Sequence, residues 1–523
     1  MQQPTREPSP GTPSGTPPRQ RARRRVPLRG AELALLAAAL AACGEGGTVL
    51  GGPSQLVALS IAPLELRPGF SPDVHDYTVQ CGPGPNSLRI AMTAAAGSTA
   101  TLRLPEAPKS AVPDSVLLNV YEDDAVVVDV SGDAGTQSYW IRCLPHDFPA
   151  LQFNPHPDAG ARAPGWYLLG NVPSAPVESG FAIVLDGNGT PVWYHRVSAG
   201  GALAISRRAD GSISFVPFLG PFGSDPSASF VIQTLDPWAT RLIQTVGTPT
   251  DEHDLRVLPS GDVLVFSYPI VEGVDLTGLG SYGAGMTIAD CAIQQLDGKG
   301  SVVWAWRASE HLDLVREAPG AQTLPVGNQN IVDVFHCNSI DVDATGNLLV
   351  SARNTDAVFY VDKSTGKVVW KLGGPPYSKD GARLVRVVDD PQQSFSRQHD
   401  ARFQPGDRVS MFDDHTSLPG VARGVEYSLD LQAGTARVAW QFLGPVSSEA
   451  MGSLRRTSDG TRIIAWGLSS DLTAYDTAFT EVDEAGRDLL DVSFIHGAAT
   501  YRAEKVPTGD FDADLLRATA GHP

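Results

Sequence analysis

The chain has 523 residues, and its 40 Lys and Arg against 58 Asp and Glu give a net charge of −18. This acidity argues against a nucleic-acid-binding protein, which needs a basic surface, and no apolar run has the 18–20 or so residues that span a bilayer. The 53 Gly and 41 Pro, with only 19% charged residues, are typical of short strands joined by tight turns. The composition therefore predicts an all-β protein.

The first 42 residues have the features of an export signal. Residues 1–30 are rich in Pro, Ser and Arg, and an apolar stretch then leads to small residues before Cys43. This order is typical of secretory signals, and Leu-Ala-Ala-Cys resembles a bacterial lipobox. We expect residues 1–42 to be a lipoprotein-type signal peptide, Cys43 to be lipidated and residues 43–54 to be a Gly-rich tether. The protein would then be lipid-anchored in the periplasm or at the cell surface; an ordinary signal with a chance cysteine is the alternative.

Residues 55–147 contain short alternating segments between turn residues, a pattern typical of a small β-sandwich. Two of these segments end in Cys81 and Cys143, so we expect neighbouring strands joined by a disulfide, which export permits. Cys291 and Cys337 could form a second one. No Cys-x-x-Cys pair occurs, which argues against a structural zinc site. The start of this segment resembles the cadherin-like modules of bacterial surface proteins, which implies a spacer or docking role.

A short pattern recurs six times between residues 148 and 500. Each copy has an apolar residue, an Asp and a turn, often before an apolar run that ends in Trp; its Asp residues are Asp186, Asp236, Asp297, Asp362, Asp430 and Asp483. A hairpin with a tight Gly turn lies between copies, so each repeat supplies four strands. Four-stranded units repeated radially build a β-propeller. We predict a six-bladed β-propeller over 148–500 and a C-terminal tail over 501–523; an array of β-sandwiches is the alternative.

Three of the 11 histidines occupy the same position in successive repeats. His253, His336 and His399 each open the first strand of the Gly-turn hairpin. Since the innermost strands of a propeller surround its axis, equivalent positions meet at one mouth of the central channel. We therefore expect the three imidazoles to face one another. Asn338 lies two residues after His336, on the same face of a strand, and Arg353 ends the return strand of that hairpin.

Imidazole, carboxamide and guanidinium groups together suit a tetrahedral oxyanion, because all three can donate hydrogen bonds. Three histidines are also a candidate metal site, but no carboxylate is an obvious fourth ligand and Arg353 would repel a dication. Buried structural histidines are a further alternative. No glycine motif for binding a nucleotide occurs. The sequence therefore predicts an oxyanion site without a metal or another cofactor.

Two stretches carry a family resemblance. They are Phe335-His-Cys-Asn-Ser-Ile-Asp with Gly346-Asn-Leu-Leu-Val-Ser-Ala-Arg-Asn and Val361-Asp-Lys-Ser-Thr-Gly-Lys-Val-Val-Trp-Lys-Leu-Gly-Gly374, and Phe395-Ser-Arg-Gln-His-Asp-Ala-Arg-Phe with Val409-Ser-Met-Phe-Asp-Asp414. Both resemble the core of the bacterial arylsulfotransferases. The resemblance implies an exported six-bladed propeller with an N-terminal β domain. It also implies transfer of a sulfuryl group from an aryl sulfate to a phenol, without a nucleotide donor, through a transiently sulfated histidine.

The same resemblance implies a role for each site residue. His399 matches the nucleophile, and the sulfate-binding residues are His253, His336, Asn338 and Arg353. Either His253 or His336 could protonate the leaving oxygen. The chain departs from the family in having no cysteine after Cys337, where members carry a short-loop disulfide before the nucleophile.

The implied partners are small molecules, an aryl sulfate donor and a phenolic acceptor, and the sequence leaves a homodimer open. Two other functions remain as alternatives. One is a non-catalytic surface propeller that binds a ligand or a protein through its channel face. The other is a metal-dependent periplasmic enzyme.

Overall fold

The computed structural model describes residues 54–522 except 104–109, 112–114, 175–177, 198–199, 221–224, 226, 327 and 470–476. The predicted signal peptide, Cys43 and the tether up to residue 53 lie outside the described residues. Within them the chain is nearly all β-strand, which confirms the predicted all-β class. In this part of the chain no helix is long and apolar enough to cross a membrane.

Eight strands form the N-terminal part of the described chain: β1 (Leu56–Ala62), β2 (Asp76–Gln80), β3 (Asn86–Ala94), β4 (Thr99–Arg103), β5 (Ser110–Ala111), β6 (Ser115–Val120), β7 (Ala125–Gly132) and β8 (Gly135–Leu144). They make one sheet in the order β1-β3-β6 and another in the order β2-β8-β7-β4-β5. Side chains from both sheets, among them Leu59, Ile90 and Val128, share one core. The Cys81–Cys143 disulfide links the end of β2 to β8, its parallel neighbour.

The remaining strands extend to residue 507. They are β9 (Leu151–Pro155), β10 (Gly165–Gly170), β11 (Val172–Pro173), β12 (Phe181–Leu185), β13 (Pro191–Arg196), β14 (Ala202–Arg207), β15 (Ile213–Pro217), β16 (Phe230–Leu235), β17 (Trp238–Ile243), β18 (Thr250–Val257), β19 (Val263–Ser267), β20 (Ile270–Val274), β21 (Met286–Ala289), β22 (Ala292–Leu296), β23 (Val302–Arg307), β24 (Gln322–Val326), β25 (Gln329–Asp333), β26 (Cys337–Val342), β27 (Leu348–Ala352), β28 (Ala357–Val361), β29 (Val368–Gly373), β30 (Arg383–Val387), β31 (His399–Gln404), β32 (Arg408–Asp413), β33 (Arg423–Asp430), β34 (Thr435–Leu443), β35 (Ser448–Ala450), β36 (Ser453–Arg456), β37 (Arg462–Ala465), β38 (Leu468–Ser469), β39 (Thr477–Val482), β40 (Asp488–Phe494), β41 (Ala498–Ala499) and β42 (Ala503–Pro507). Two short helices accompany them, α1 (Ala308–His311) and α2 (Ala513–Thr519).

Four-stranded antiparallel units recur along these strands. Their strand orders are β42-β10-β12-β13, β14-β15-β16-β17, β18-β19-β22-β23, β26-β27-β28-β29, β31-β32-β33-β34 and β36-β37-β39-β40. β30 pairs in parallel with both β29 and β34 and so joins two units edge to edge. The first strands of the units touch one another in a cycle that runs β14, β18, β26, β31, β36, β42 and back to β14.

The C-terminal residues belong to this array, which corrects the predicted boundary at residue 500. β42 pairs antiparallel with β10, so one unit is assembled from both ends of the segment. α2 follows β42, and its Leu516 is fully buried in one core with Tyr167 and Phe479. The sequence pattern missed β42 because its partner lies more than three hundred residues earlier, and no Gly turn joins the two.

The N-terminal sheets dock on this closing region. The guanidinium of Arg517 in α2 donates to both oxygens of Asp76 at the start of β2, over 2.8 and 2.7 Å. The hydroxyl of Tyr194 in β13 donates to Asp123 over 2.8 Å. The contacts of α2 therefore reach both the N-terminal sheets and the core of the array.

Candidate active site

The three selected histidines lie together at the start of three successive units. His253 is inside β18, His336 immediately precedes β26, and His399 is the first residue of β31. The ring centroids of His253 and His336 are 4.9 Å apart, and each lies 6.4 Å from the ring of His399. All three side chains are buried or nearly so. The structure thus brings these imidazoles into one cluster.

A β-bulge interrupts the strand pairing beside each histidine. The register shifts between Thr250 and Leu255, between Cys337 and Ser339, and between His399 and Arg402. His336 itself has a φ of 53° and Asp400 a φ of 57°, a left-handed conformation that is uncommon outside glycine. Bulges re-aim side chains and are frequent beside active sites. Here they break the simple two-residue alternation at the cluster.

A buried carboxylate lies behind each imidazole. Its oxygen lies close to the Nδ1 atom: 2.9 Å for Asp251 and His253, 2.6 Å for Asp333 and His336, and 2.8 Å for Asp414 and His399. These three aspartates were not predicted from the sequence as partners of the histidines. Asp251 lies two residues before His253 and Asp333 lies three residues before His336, and this short spacing was the available signal. Because of the bulges, the alternation of side chains does not predict which carboxylate faces which ring.

The protonation states of the three imidazoles differ. Burial disfavours charge on His253, but Asp251, Glu252 and Asp333 outweigh it and raise its pKa to about 9. Burial lowers the pKa of His336 in spite of Asp333. Burial, Arg353 and the other two histidines hold the pKa of His399 well below its usual value. At neutral pH the cluster therefore combines a charged His253 with two neutral rings.

The charged and neutral rings are linked. The Nε2 atoms of His253 and His336 are 3.2 Å apart, which is hydrogen-bond distance when one of them carries the proton. Because His253 has the higher pKa, it is the donor and His336 the acceptor. The pair can therefore hold one proton beside His399.

Arg353 and Asn338 each have unused hydrogen-bonding capacity. Arg353 lies in the 3-10 turn that follows β27 and donates to the Glu449 carbonyl over 2.8 Å. Its buried Nε has no partner among the described residues. Asn338 donates from Nδ2 to the Gln398 carbonyl over 2.7 Å, while its buried Oδ1 likewise has no donor within the described chain.

Asp254 and Asp400, the acidic neighbours of two of the histidines, belong to a separate ion-pair network. Arg402 Nη2 lies 2.7 Å from both carboxylates, and Arg502 and Arg455 add contacts of 3.1 Å to Asp254 and 2.6 Å to Asp400. Burial would raise the pKa of Asp400, but Arg455 and Arg402 lower it. Arginines therefore neutralise these two carboxylates, which are not the ones that face the Nδ1 atoms of the imidazoles.

Two further residues frame the cluster. Tyr501 donates its hydroxyl to the Asn338 carbonyl over 2.8 Å, and its ring lies 5.8 Å from His253 and 6.1 Å from His399. Cys337, between His336 and Asn338, is bonded to Cys291 just before β22. The sequence analysis placed Tyr501 in the tail and so did not consider it.

Comparison with known protein families assigns the segment that contains the histidine cluster. The family model described as Arylsulfotransferase (ASST) matches residues 233–485, a segment that includes all five residues of the predicted site. Residues 233–485 belong to the arylsulfotransferase family. The match does not include the N-terminal sheets, so the cadherin-like resemblance of residues 55–147 stays a prediction.

Other comparisons of the chain give distant similarities. No curated protein matches it. A protein of unknown function from Bacteroides caccae has 13% identity and a TM-score of 0.40, over 66% of this chain and 99% of its own. A quinonprotein alcohol dehydrogenase-like protein from Bacteroides thetaiotaomicron has 10% identity and a TM-score of 0.32, over 84% and 98%. An auxiliary nutrient binding protein from Bacteroides ovatus has 11% identity and a TM-score of 0.31, over 80% and 88%.

Proposed function

We propose that this arylsulfotransferase moves a sulfuryl group from an aryl sulfate ester to a phenol, with His399 as the transient carrier. The observation that carries the proposal is the state of His399: a buried imidazole kept neutral by its surroundings, with Asp414 Oδ2 2.8 Å from Nδ1. A neutral imidazole whose Nδ1 faces a carboxylate has its Nε2 lone pair available as a nucleophile. The family membership supplies the substrate class.

We propose a six-bladed β-propeller as the scaffold of this site. Six four-stranded units and the closed cycle of contacts between their first strands support that arrangement. In a propeller of this kind the first strand of each blade lines the axis, which accounts for the meeting of residues from β18, β26 and β31. The two N-terminal sheets around one core are consistent with a sandwich that acts as a spacer or docking module.

In the first half-reaction His399 takes the sulfuryl group. Its Nε2 lone pair attacks sulfur in line with the ester oxygen; the N–S bond forms, the S–O bond breaks, and the phenolic oxygen keeps that electron pair. His253, which is protonated at neutral pH, gives its proton to this oxygen. As the N–S bond forms, the Nδ1 proton of His399 passes to the Asp414 carboxylate, whose Oδ2 lies 2.8 Å away.

The surroundings of His399 suit the charge on the sulfuryl oxygens. Arg353 provides a guanidinium with an unpartnered Nε, and Asn338 retains one amide N–H beyond the one that binds the Gln398 carbonyl. Donors that are fixed before the reaction stabilise charge on transferring groups without reorganisation. We assign His336 to orienting the proton of His253, because its neutral Nε2 lies 3.2 Å from the Nε2 of His253.

The second half-reaction restores the enzyme. A phenol attacks the sulfur of sulfated His399, its proton passes to the now neutral His253, and the N–S bond breaks. Asp414 returns the Nδ1 proton to His399. Donor and acceptor therefore use the site in turn, and the kinetics are ping-pong.

We also propose export and a lipid anchor on Cys43, as the sequence of residues 1–43 indicates. The two disulfides, Cys81–Cys143 and Cys291–Cys337, support an oxidising compartment, because such bonds are rare in the cytosol. Radiolabelled palmitate that enters the wild type but not Cys43→Ser would support the anchor, whereas equal labelling would contradict it.

Activity tests the proposal directly. We expect the purified protein to release phenol from aryl sulfates and to sulfate a second phenol, and His399→Asn to lose both reactions. His311→Asn is the matched control, because the Nδ1 of His311 also lies 2.9 Å from a carboxylate, that of Asp380, but the residue lies outside the cluster. Equal activity in His399→Asn and the wild type would refute the nucleophile.

A further inference from the structure

The histidine cluster also has the construction of a transition-metal site. One nitrogen from each of His253, His336 and His399 lies within 4.8 Å of the others. The 3.2 Å between the Nε2 atoms of His253 and His336 is close to the roughly 3.3 Å between two nitrogens that share a tetrahedral zinc at about 2.0–2.1 Å. Little movement would therefore be needed for these two rings to hold one ion, which would replace the proton between their Nε2 atoms.

The carboxylates behind the rings strengthen this assignment. In protein zinc sites the ligating histidine commonly donates its other ring N–H to a carboxylate, which orients the ring and makes it a better ligand. Here Asp251, Asp333 and Asp414 occupy that position behind all three histidines. A single histidine–aspartate pair is common in folded proteins. Here three such pairs meet at one cluster, and their three histidines would supply three ligands to one ion.

The candidate for a fourth ligand is the side-chain oxygen of Asn338. The Asn338 Oδ1 atom is fully buried and has no donor among the described residues. Its Nδ2 donates to the Gln398 carbonyl, and this bond orients the amide. A buried amide oxygen without a donor can be stabilised by a cation, and water is the usual alternative at an open zinc position.

We propose that His253, His336 and His399 bind one divalent transition-metal ion, Zn²⁺ or Co²⁺, and that this ion and the aryl sulfate exclude each other. The exclusion rests on the proposed function, because both the metal and the sulfur atom would need His399. The metal is therefore an inhibitor in this account. It would bind the resting enzyme and protect the nucleophile from reaction.

Arg353 makes the two ligands distinguishable. Its positive charge attracts a sulfate ester and repels a dication, so removal of this charge should affect the two in opposite directions. With Arg353→Gln we expect metal affinity to rise by about tenfold or more and sulfuryl transfer to fall by about a hundredfold or more. A variant that merely unfolds would lose both properties.

The test uses the full chain without a polyhistidine tag, freed of metal by a chelator and titrated with Co²⁺. Tetrahedral Co²⁺ with nitrogen ligands has strong visible absorption, which reports the geometry as well as the stoichiometry. We expect one Co²⁺ per chain, displaced by Zn²⁺, and a loss of the absorption in His336→Ala. In Asp333→Asn the affinity should fall by about 10–100-fold.

The matched control is His156→Ala. His156 lies with Asp488 and Asp491 in a half-exposed cluster that could also attract a metal, and its loss should leave the Co²⁺ absorption unchanged. Loss of the signal in His156→Ala, its survival in His336→Ala, or no stoichiometric binding would each overturn the proposal. Metal binding without any sulfuryl transfer would instead refute the proposed function and leave the metal site standing.

Discussion

Three histidines at equivalent positions have three different environments. His253 has Asp251 and Glu252 beside it and remains charged, whereas His399 lies near Arg353 and loses its proton. The division into a proton donor and a nucleophile therefore comes from neighbouring charges and not from the residue type. Burial strengthens both effects, because charges interact more strongly away from water.

The pH dependence of the reaction with the donor should reflect this division. His253 must be protonated to act as the acid, so kcat/KM for the aryl sulfate should fall as the pH rises through about 9. His399 must be neutral, and since its pKa lies well below 6.5, the acidic limb should lie well below pH 6.5. Stopped-flow release of phenol across this range measures the profile.

Asp251→Asn provides the control for this assignment. Loss of the carboxylate should lower the pKa of His253 and move the alkaline limb toward lower pH by about 1–3 pH units, while the acidic limb stays in place. An alkaline limb at the same pH in both proteins would show that another group is the acid.

At the scale of single residues, the sequence predicted which histidines meet but not their partners. Repeat position alone selected His253, His336 and His399, because equivalent positions of successive units lie side by side. Asp333 and Asp414 were missed, since bulges and a left-handed residue at His336 break the alternation on which a prediction from sequence depends. Asp254, the residue after His253, binds arginines and not the imidazoles.

At the scale of elements, the Cys291–Cys337 bond ties the strand that carries His336 and Asn338 to the neighbouring unit. Its sequence separation of 46 corresponds to about 4 kcal/mol of stabilisation in the chain-entropy model. Cys291→Ser with Cys337→Ser should lower the free energy of unfolding by about that amount. It should also reduce kcat, because the loosened strand carries site residues.

The other disulfide is the matched control. Cys81–Cys143 closes a similar separation of 62 and belongs to the N-terminal sheets. Its removal should destabilise the protein to a similar degree and leave kcat unchanged. Chemical denaturation and steady-state assays of both double variants give the comparison, and an equal loss of kcat in the two would contradict a local role for the Cys291–Cys337 bond.

Hairpins with a Gly or Asp turn were predictable because both strands are adjacent in sequence. The turns at Gly346 and Asp362 fall between β26 and β27 and between β28 and β29, as the repeat pattern requires. β30 and β42 were not predictable in the same way, since their partners are set by tertiary packing. β30 has parallel neighbours on both sides, and such pairs lack a short connecting turn.

At the scale of the whole molecule, the last residues hold the array closed. β42 completes the unit that begins with β10, and α2 packs behind it with Leu516 in the core. Leu516→Ala should therefore lower the free energy of unfolding by about 2–5 kcal/mol. Asp514→Ala, on the exposed side of the same helix, should change it by less than about 0.5 kcal/mol. Similar midpoints of denaturation for the two variants would contradict a closing role for α2.

Composition and repeat pattern predicted the class of the whole molecule, and the resemblance over residues 335–414 predicted its family. The closure by β42 and the docking of Arg517 on Asp76 could not be predicted, because each joins residues hundreds of positions apart. Local sequence patterns report turns and alternation, whereas contacts of this kind depend on the completed fold.

Mass spectrometry can show whether His399 carries the sulfuryl group during turnover. The protein is mixed with an aryl sulfate in the absence of a phenol acceptor, quenched at alkaline pH and digested. We predict a mass gain of one SO₃ per chain, located on His399 and lost when a phenol is added. An active protein that shows no such adduct, or carries it on another residue, would contradict the account.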